Sequence, residues 1–246
     1  MKRTLALAGL IVIIIVLAVI WRHNDAGAPG QNNPAHPQSH QTQPADGKAP
    51  AFDKTAHSTT DPASIWVVVN KQHPLTPKTY APTDLTSVGN GQLMRAAAAA
   101  ALKQMLAGAK QAGYVVTAAS GYRSYSDQVA AYDSEVAAYG QAKADSESAR
   151  PGYSEHQTGL AVDLASGGCS ITDCFGSTPG GQWVTANAWR YGFILRYAPG
   201  LEQITGYRTE TWHFRYVGQP LAKEMHKTGI KTLEQFFNIT GGTSYN

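Results

Sequence analysis

The residues best suited to chemistry lie in two short segments that are far apart along the chain. His156, Asp163 and His213 supply two imidazoles and one carboxylate. Such a set can give Zn²⁺ three ligands and leave a fourth position open for water, as catalytic zinc sites do. Because only one ligand is anionic, the ion keeps net positive charge and can lower the pKa of bound water. Glu210 is then the natural general base beside the metal.

The residues that flank these side chains indicate how each of them is placed. Asp163 falls inside an apolar strand, where an unpaired carboxylate would be costly, so it needs a cation. Gly159 lets the backbone turn between His156 and Asp163. Side chains three positions apart in a regular strand point to opposite faces of the sheet. Glu210 and His213 therefore cannot both face one site if Glu210 belongs to the regular part of the strand. We therefore expect Glu210 to lie in a turn or bulge just before the strand.

A third segment places Arg123 in a strand-to-helix turn, with Gln128 one turn into the helix. A planar guanidinium suits either a substrate carboxylate or a developing oxyanion, and these residues leave both roles open. An arginine in a turn is also often only a surface ion pair.

The two cysteines, Cys169 and Cys174, are five residues apart in a Gly-rich loop. In an exported domain they are expected to form a local disulfide. The competing interpretation is zinc ligation, which would need a further Cys or a nearby His, and the loop has neither.

These motifs together carry a resemblance to a known family. The chain resembles the VanY-type D-alanyl-D-alanine carboxypeptidases of the LAS zinc metallopeptidase group in the motifs Ser154-x-His156-x-x-Gly159-x-Ala161-x-Asp163, Glu210-x-x-His213 and Ser120-Gly121-Tyr122-Arg123. The resemblance implies an antiparallel sheet of about four strands with flanking helices. It also implies zinc on His156, Asp163 and His213, with Glu210 as base and with Arg123, Gln128 and Ser154 contacting the terminal part of the substrate.

The implied reaction is removal of the last D-alanine from a peptidoglycan stem peptide. Glu210 would take a proton from the attacking water and return it to the leaving amine, and Arg123 would stabilise the oxyanion or hold the terminal carboxylate. Two alternatives remain open. One is an L,D-carboxypeptidase or stem-peptide endopeptidase of the same fold. The other is a zinc-stabilised binding module, although such a module would have no need of Glu210.

Composition limits the partners. The chain has 246 residues and a net charge of +3. Lys2, Arg3 and Arg22 precede every acidic residue, so the remainder sums to zero. Because the rest of the chain carries no net charge, there is no electrostatic reason to expect nucleic acid as a partner. The chain is predicted to be a monomer, and its predicted partners are peptidoglycan stem peptides and the cytoplasmic membrane.

The first quarter of the chain is unsuited to a core. Residues 5–21 are apolar without a charge, which predicts a signal anchor over 1–23 that leaves the body outside the cytoplasm. Cleavage after Ala28, which would give a secreted protein, is the alternative, although Pro29 should hinder it. Residues 24–63 are rich in Pro, Gln and Ala and predict a flexible linker, which leaves 64–246 as the catalytic domain.

The sequence of residues 64–246 predicts an α+β domain, whose elements would position the motifs. Strands are expected at 65–69, 114–118, 160–164, 193–197 and 211–217, and helices at 92–111, 124–139, 184–191, 220–227 and 232–237.

Overall fold

The structure is a computed structural model that describes residues 51–246. The predicted anchor, 1–23, and most of the predicted linker lie outside the described residues. Within residues 51–246, no helix combines the length and the apolar character needed to cross a membrane.

The described chain is an α+β domain with antiparallel sheets, as predicted. Its strands are β1 Leu85–Gly89, β2 Gln92–Arg95, β3 Val116–Ser120, β4 Ala161–Ser166, β5 Cys169–Ser170, β6 Phe193–Tyr197 and β7 Glu210–Tyr216. Its α-helices are α1 Ala96–Gln111, α2 Tyr125–Tyr139, α3 Gln141–Glu147, α4 Pro179–Asn187, α5 Glu202–Thr205, α6 Gln219–Thr228 and α7 Leu233–Phe237. The central sheet has the order β3-β4-β7-β6, and the short strand β5 adds to β4. Cys169 of β5 and Cys174 form a disulfide, so neither has a free thiolate with which to bind zinc.

The start of helix α1 differs from the prediction. Helix α1 begins at Ala96 rather than at residue 92, because β2 pairs with β1 across a turn at Asn90 and Gly91. Both turn residues have positive φ, 51° and 72°, as in the turns that close two-residue hairpins. Helix α2 begins where predicted, since the Ser124 side chain accepts a hydrogen bond from the backbone N–H of Asp127.

Two apolar clusters hold the elements together. The larger packs α1 and α4 against the central sheet, with Leu102 and Met105 of α1 fully buried together with Leu164 and Phe214 of the sheet. The smaller lies among α6, α7 and the segment before β1, and it is built around Trp66. The sheet that carries the site is thus fixed by apolar packing.

The segment before β1 departs from the sequence analysis at two points. Residues 51–63, assigned to the linker, pack on the domain, because the Phe52 ring lies 5.6 Å from the rings of both Trp66 and Phe236. Residues 65–69 are not a strand. The backbone carbonyls of Ile65 and Val67 accept hydrogen bonds from the Arg215 guanidinium, and a side chain thereby replaces a neighbouring strand.

Candidate metal centre

The three proposed ligands meet at one place. Asp163 of β4 and His213 of β7 are direct cross-strand partners, which explains how residues 50 apart in sequence come into contact. His156 lies on a 3₁₀ helix, Glu155–Thr158, that immediately precedes β4. One ligand atom from each of the three side chains lies within 4.8 Å of the others, and all three side chains are buried.

The hydrogen bonds of the two imidazoles show which nitrogens face the centre. His156 Nδ1 lies 2.7 Å from the Gly121 carbonyl oxygen, to which it donates, and His156 Nε2 lies 3.2 Å from Asp163 Oδ2. His213 Nδ1 lies 3.0 Å from Asp163 Oδ1. His156 Nε2, His213 Nδ1 and the Asp163 carboxylate therefore converge. Two imidazole nitrogens and one carboxylate oxygen are the donor set of an open zinc site, so these residues fit Zn²⁺.

Two glycines allow the turn that carries His156. Gly159 ends the 3₁₀ helix with φ at +67°, the left-handed region that glycine adopts without strain. Gly121 approaches the β1–β2 hairpin so closely that a Cβ would lie 2.4 Å from the Leu93 carbonyl oxygen. Its own carbonyl orients His156, so this close approach contributes directly to the site.

Glu210 joins the centre through an irregularity in β7. Leu195 pairs with Phe214 and Tyr197 pairs with Glu210, so β7 carries extra residues opposite this part of β6. The prediction placed a turn or bulge just before the strand. The bulge instead lies inside β7, which begins at Glu210. Across this bulge Glu210 Oε2 lies 3.6 Å from His213 Nδ1, although the two residues are three positions apart.

The carboxyl groups of the centre differ in charge state. Burial opposes ionisation of Asp163, but His156 and His213 hold the pKa of Asp163 below its usual range. Burial raises the pKa of Glu210 to about 7, and the attraction of His213 opposes this only in part. A carboxyl group with such a pKa can both accept and return a proton at neutral pH.

A cavity of about 360 Å³ opens onto the centre. It is lined by all seven residues that the sequence analysis selected: Arg123, Gln128, Ser154, His156, Asp163, Glu210 and His213. Arg123 Nη1 donates to Gln128 Oε1 at 3.1 Å, and Gln128 Nε2 donates to the Ala149 carbonyl at 2.8 Å. Since both ends of the Gln128 amide are engaged, Gln128 holds Arg123 in place.

The charged residues behind the centre were not predicted from the sequence. Glu155 is 1% exposed and lies 2.8 Å from both Arg196 and Arg215, which are completely buried. The signal was present in the sequence, because these arginines interrupt the apolar strands β6 and β7. A buried arginine is costly unless a counter-charge and hydrogen-bond acceptors satisfy it, so such a residue indicates a buried partner.

Comparisons with known proteins agree with this geometry. Residues 91–219 match the family model described as VanY, D-alanyl-D-alanine carboxypeptidase. The putative carboxypeptidase YodJ of Bacillus subtilis (strain 168) is 44% identical over 188 residues, which are 72% of this chain and 68% of that protein.

Two solved structures extend the similarity to the fold. The LdcB L,D-carboxypeptidase is 43% identical with a TM-score of 0.67, over 73% of this chain and 88% of that chain. A mutant of the vancomycin resistance D,D-pentapeptidase VanY, in complex with Zn(II), is 33% identical with a TM-score of 0.62, over 70% and 98% of the two chains.

We expect that zinc displaces a proton from His213 when it binds. Burial opposes charging of this imidazole, but its hydrogen bonds to Asp163 and Glu155 raise the pKa of His213 to about 10 when no metal is bound. A ligand imidazole must be neutral, so we expect Zn²⁺ binding at pH 7 to release about one proton. Its affinity should then fall about tenfold for each pH unit of acidification.

Calorimetric titration of the metal-free protein with Zn²⁺, in buffers of different ionisation enthalpy, measures this release. A heat of binding that does not depend on the buffer would contradict the prediction.

Proposed function

We propose, because this chain belongs to the VanY family of D-alanyl-D-alanine carboxypeptidases, that it removes the C-terminal D-alanine from peptidoglycan stem peptides. The chain is a zinc-dependent metallopeptidase of the carboxypeptidase type. One observation carries the proposal: a single cavity is lined by the three zinc ligands, by a glutamate with a raised pKa and by an arginine.

Each residue has a defined task in this reaction. His156, Asp163 and His213 would hold the zinc ion, which supplies a Lewis acid that lowers the pKa of water and polarises a carbonyl. Glu210 takes the proton of the attacking water and later delivers it to the leaving amine of D-alanine. The buried position of Glu210 keeps its pKa close to neutral, so both transfers are accessible at neutral pH.

Arg123 is assigned to the free carboxylate of the terminal residue. A guanidinium matches a carboxylate with two parallel hydrogen bonds, and metal chemistry already provides positive charge for the oxyanion. Hydrogen bonds to Gln128 and Ser120 orient the Arg123 side chain at the cavity wall. A fixed cation for the chain end would restrict cleavage to the last residue.

A second activity is supported by one specific similarity. The LdcB structure belongs to an L,D-carboxypeptidase, and it shares more sequence with this chain than the VanY structure does. The second candidate is therefore removal of D-alanine from tetrapeptide stems, by the same residues and the same chemistry.

Digestion of defined muropeptides separates the two activities. We expect the zinc-loaded protein to shorten a pentapeptide stem by the mass of one alanine and to leave a tetrapeptide stem intact. Mass spectrometry of the products measures this. Loss of alanine from the tetrapeptide alone would establish the second candidate, and release of a larger fragment would contradict both.

Replacement of the base tests the assignment of Glu210. Glu210→Gln keeps the size and removes the proton acceptor, so kcat should fall by about 10²- to 10⁴-fold. Zinc content, measured by metal analysis after dialysis, should stay at the level of the unsubstituted chain. The matched control is Glu224→Gln on α6, which removes a carboxylate that does not line the cavity and should leave kcat unchanged. Wild-type turnover in Glu210→Gln would refute the assignment.

The sequence also supports a proposal for where the enzyme works. Residues 5–21 form an uncharged apolar run preceded by Lys2 and Arg3, which favours an anchor in the cytoplasmic membrane with the catalytic domain outside. A stem peptide would then be met on the side of the membrane where peptidoglycan lies.

Alkaline extraction of membranes tests the anchor. Full-length chain should stay in the membrane pellet with an intact mass that includes Met1, because only an inserted apolar segment resists alkaline washing. Recovery of a soluble form that begins after Ala28 would identify the cleaved alternative.

A further inference from the structure

The charged group behind the centre consists of five side chains on four parts of the chain: Glu155, Arg196, His213, Arg215 and Glu234. All are buried, with exposed fractions of 3% or less. Two carboxylates and two guanidiniums cancel, so this buried charge network needs no further ion to be neutral.

Glu155 divides its two oxygens between different tasks. Its Oε1 accepts from Arg196 Nε and from Arg215 Nη1, both at 2.8 Å. Its Oε2 lies 3.3 Å from His213 Nε2. One oxygen thus neutralises the arginines, and the other is left to the imidazole that faces the metal centre with its Nδ1.

Neutralising the arginines does not by itself require Glu155 to contact His213. Arg196 also donates to both oxygens of Glu234, at 2.9 and 2.6 Å. Arg215 also donates to three backbone carbonyls, those of Ile65, Val67 and Tyr216. The contact with the imidazole is therefore a distinct feature of the network.

We propose that Glu155 is a positioning residue for the zinc site, one that holds His213 in the tautomer with its proton on Nε2. An ionised carboxylate can only accept, so the partner nitrogen must carry the proton and Nδ1 keeps its lone pair for the metal. The Gly121 carbonyl does the same for His156 from the opposite ring nitrogen. The two imidazoles are thereby fixed as opposite tautomers.

The position of Glu155 in the sequence strengthens this assignment. It directly precedes His156 on the same 3₁₀ helix, so one turn carries a ligand and also the group that orients a second ligand on β7. The inference rests on the proposed zinc chemistry. Its tests nevertheless measure metal binding and proton position and need no substrate, so failure to cut stem peptides would leave it standing.

The first test compares two isosteric variants of the same network. Glu155→Gln removes the obligatory acceptor, because an amide can also donate, and we expect zinc to bind about 10- to 100-fold more weakly. Glu234→Gln removes an equally buried carboxylate from Arg196 without touching His213, and its zinc affinity should stay within about threefold of the unsubstituted chain. Competition with a chromophoric chelator measures both values, after circular dichroism has shown that each variant is folded.

The outcomes are decisive in both directions. Weak binding in Glu155→Gln alone supports the positioning role. Unchanged binding in Glu155→Gln, or an equal loss in both variants, overturns it, because the network would then serve only the fold.

The second test uses the unsubstituted chain and applies even if a variant does not fold. Long-range ¹H–¹⁵N correlation spectra of the zinc-loaded protein report which ring nitrogen is protonated. We expect a proton on Nε2 of His213 and on Nδ1 of His156. A His213 ring protonated on Nδ1 would overturn the proposal.

Discussion

The complete burial of two arginines in neighbouring strands is the constraint on which the rest of this structure depends. Arg196 and Arg215 have no exposed surface, and a buried guanidinium is tolerable only when carboxylates and carbonyls satisfy it. Glu155 contacts both arginines, and it is the residue before His156. The turn that carries a metal ligand is therefore fixed by the same ion pairs that neutralise the strands beneath it.

This requirement reaches well beyond the centre. Arg215 donates hydrogen bonds to the carbonyls of Ile65 and Val67. The irregular segment before β1 thereby has hydrogen-bond partners that a neighbouring strand would otherwise supply. Glu234 pairs with Arg196 and accepts from the Asn70 amide, so helix α7 is tied to the same charges. Segments from the first and the last part of the described domain thus contact the charges behind the zinc site.

The centre also illustrates how environment separates carboxyl groups into different roles. For Glu155, burial works against ionisation, but the two arginines prevail and hold its pKa well below the ordinary value. Glu210 has only a partial counterweight in His213, and burial raises its pKa to about 7. One carboxylate can then serve as a permanent acceptor and the other as an exchangeable base, as expected when two similar groups have different surroundings.

Residue types and short-range patterns were enough to predict the donor set of the site and the class of the fold. Residue types and spacing singled out the two histidines, Asp163, Glu210 and Arg123, and the ranges expected for β6, β7 and α2 agree with the structure to within one residue at each end. The resemblance to the VanY family supplied the reaction. Such inferences are possible because residue types and local patterns are properties of short segments.

The contacts between distant segments could be read only from the folded chain. Strand register made Asp163 and His213 neighbours, and the bulge in β7 turned Glu210 toward them. Long-range contacts bound Phe52 to the domain, kept residues 65–69 out of the sheet and engaged both ends of the Gln128 amide. The arginines in β6 and β7 indicated that a buried partner exists, but not that Glu155 is that partner. Its partners on β6 and β7 lie at least 41 residues away, and no local pattern specifies a contact that folding alone creates.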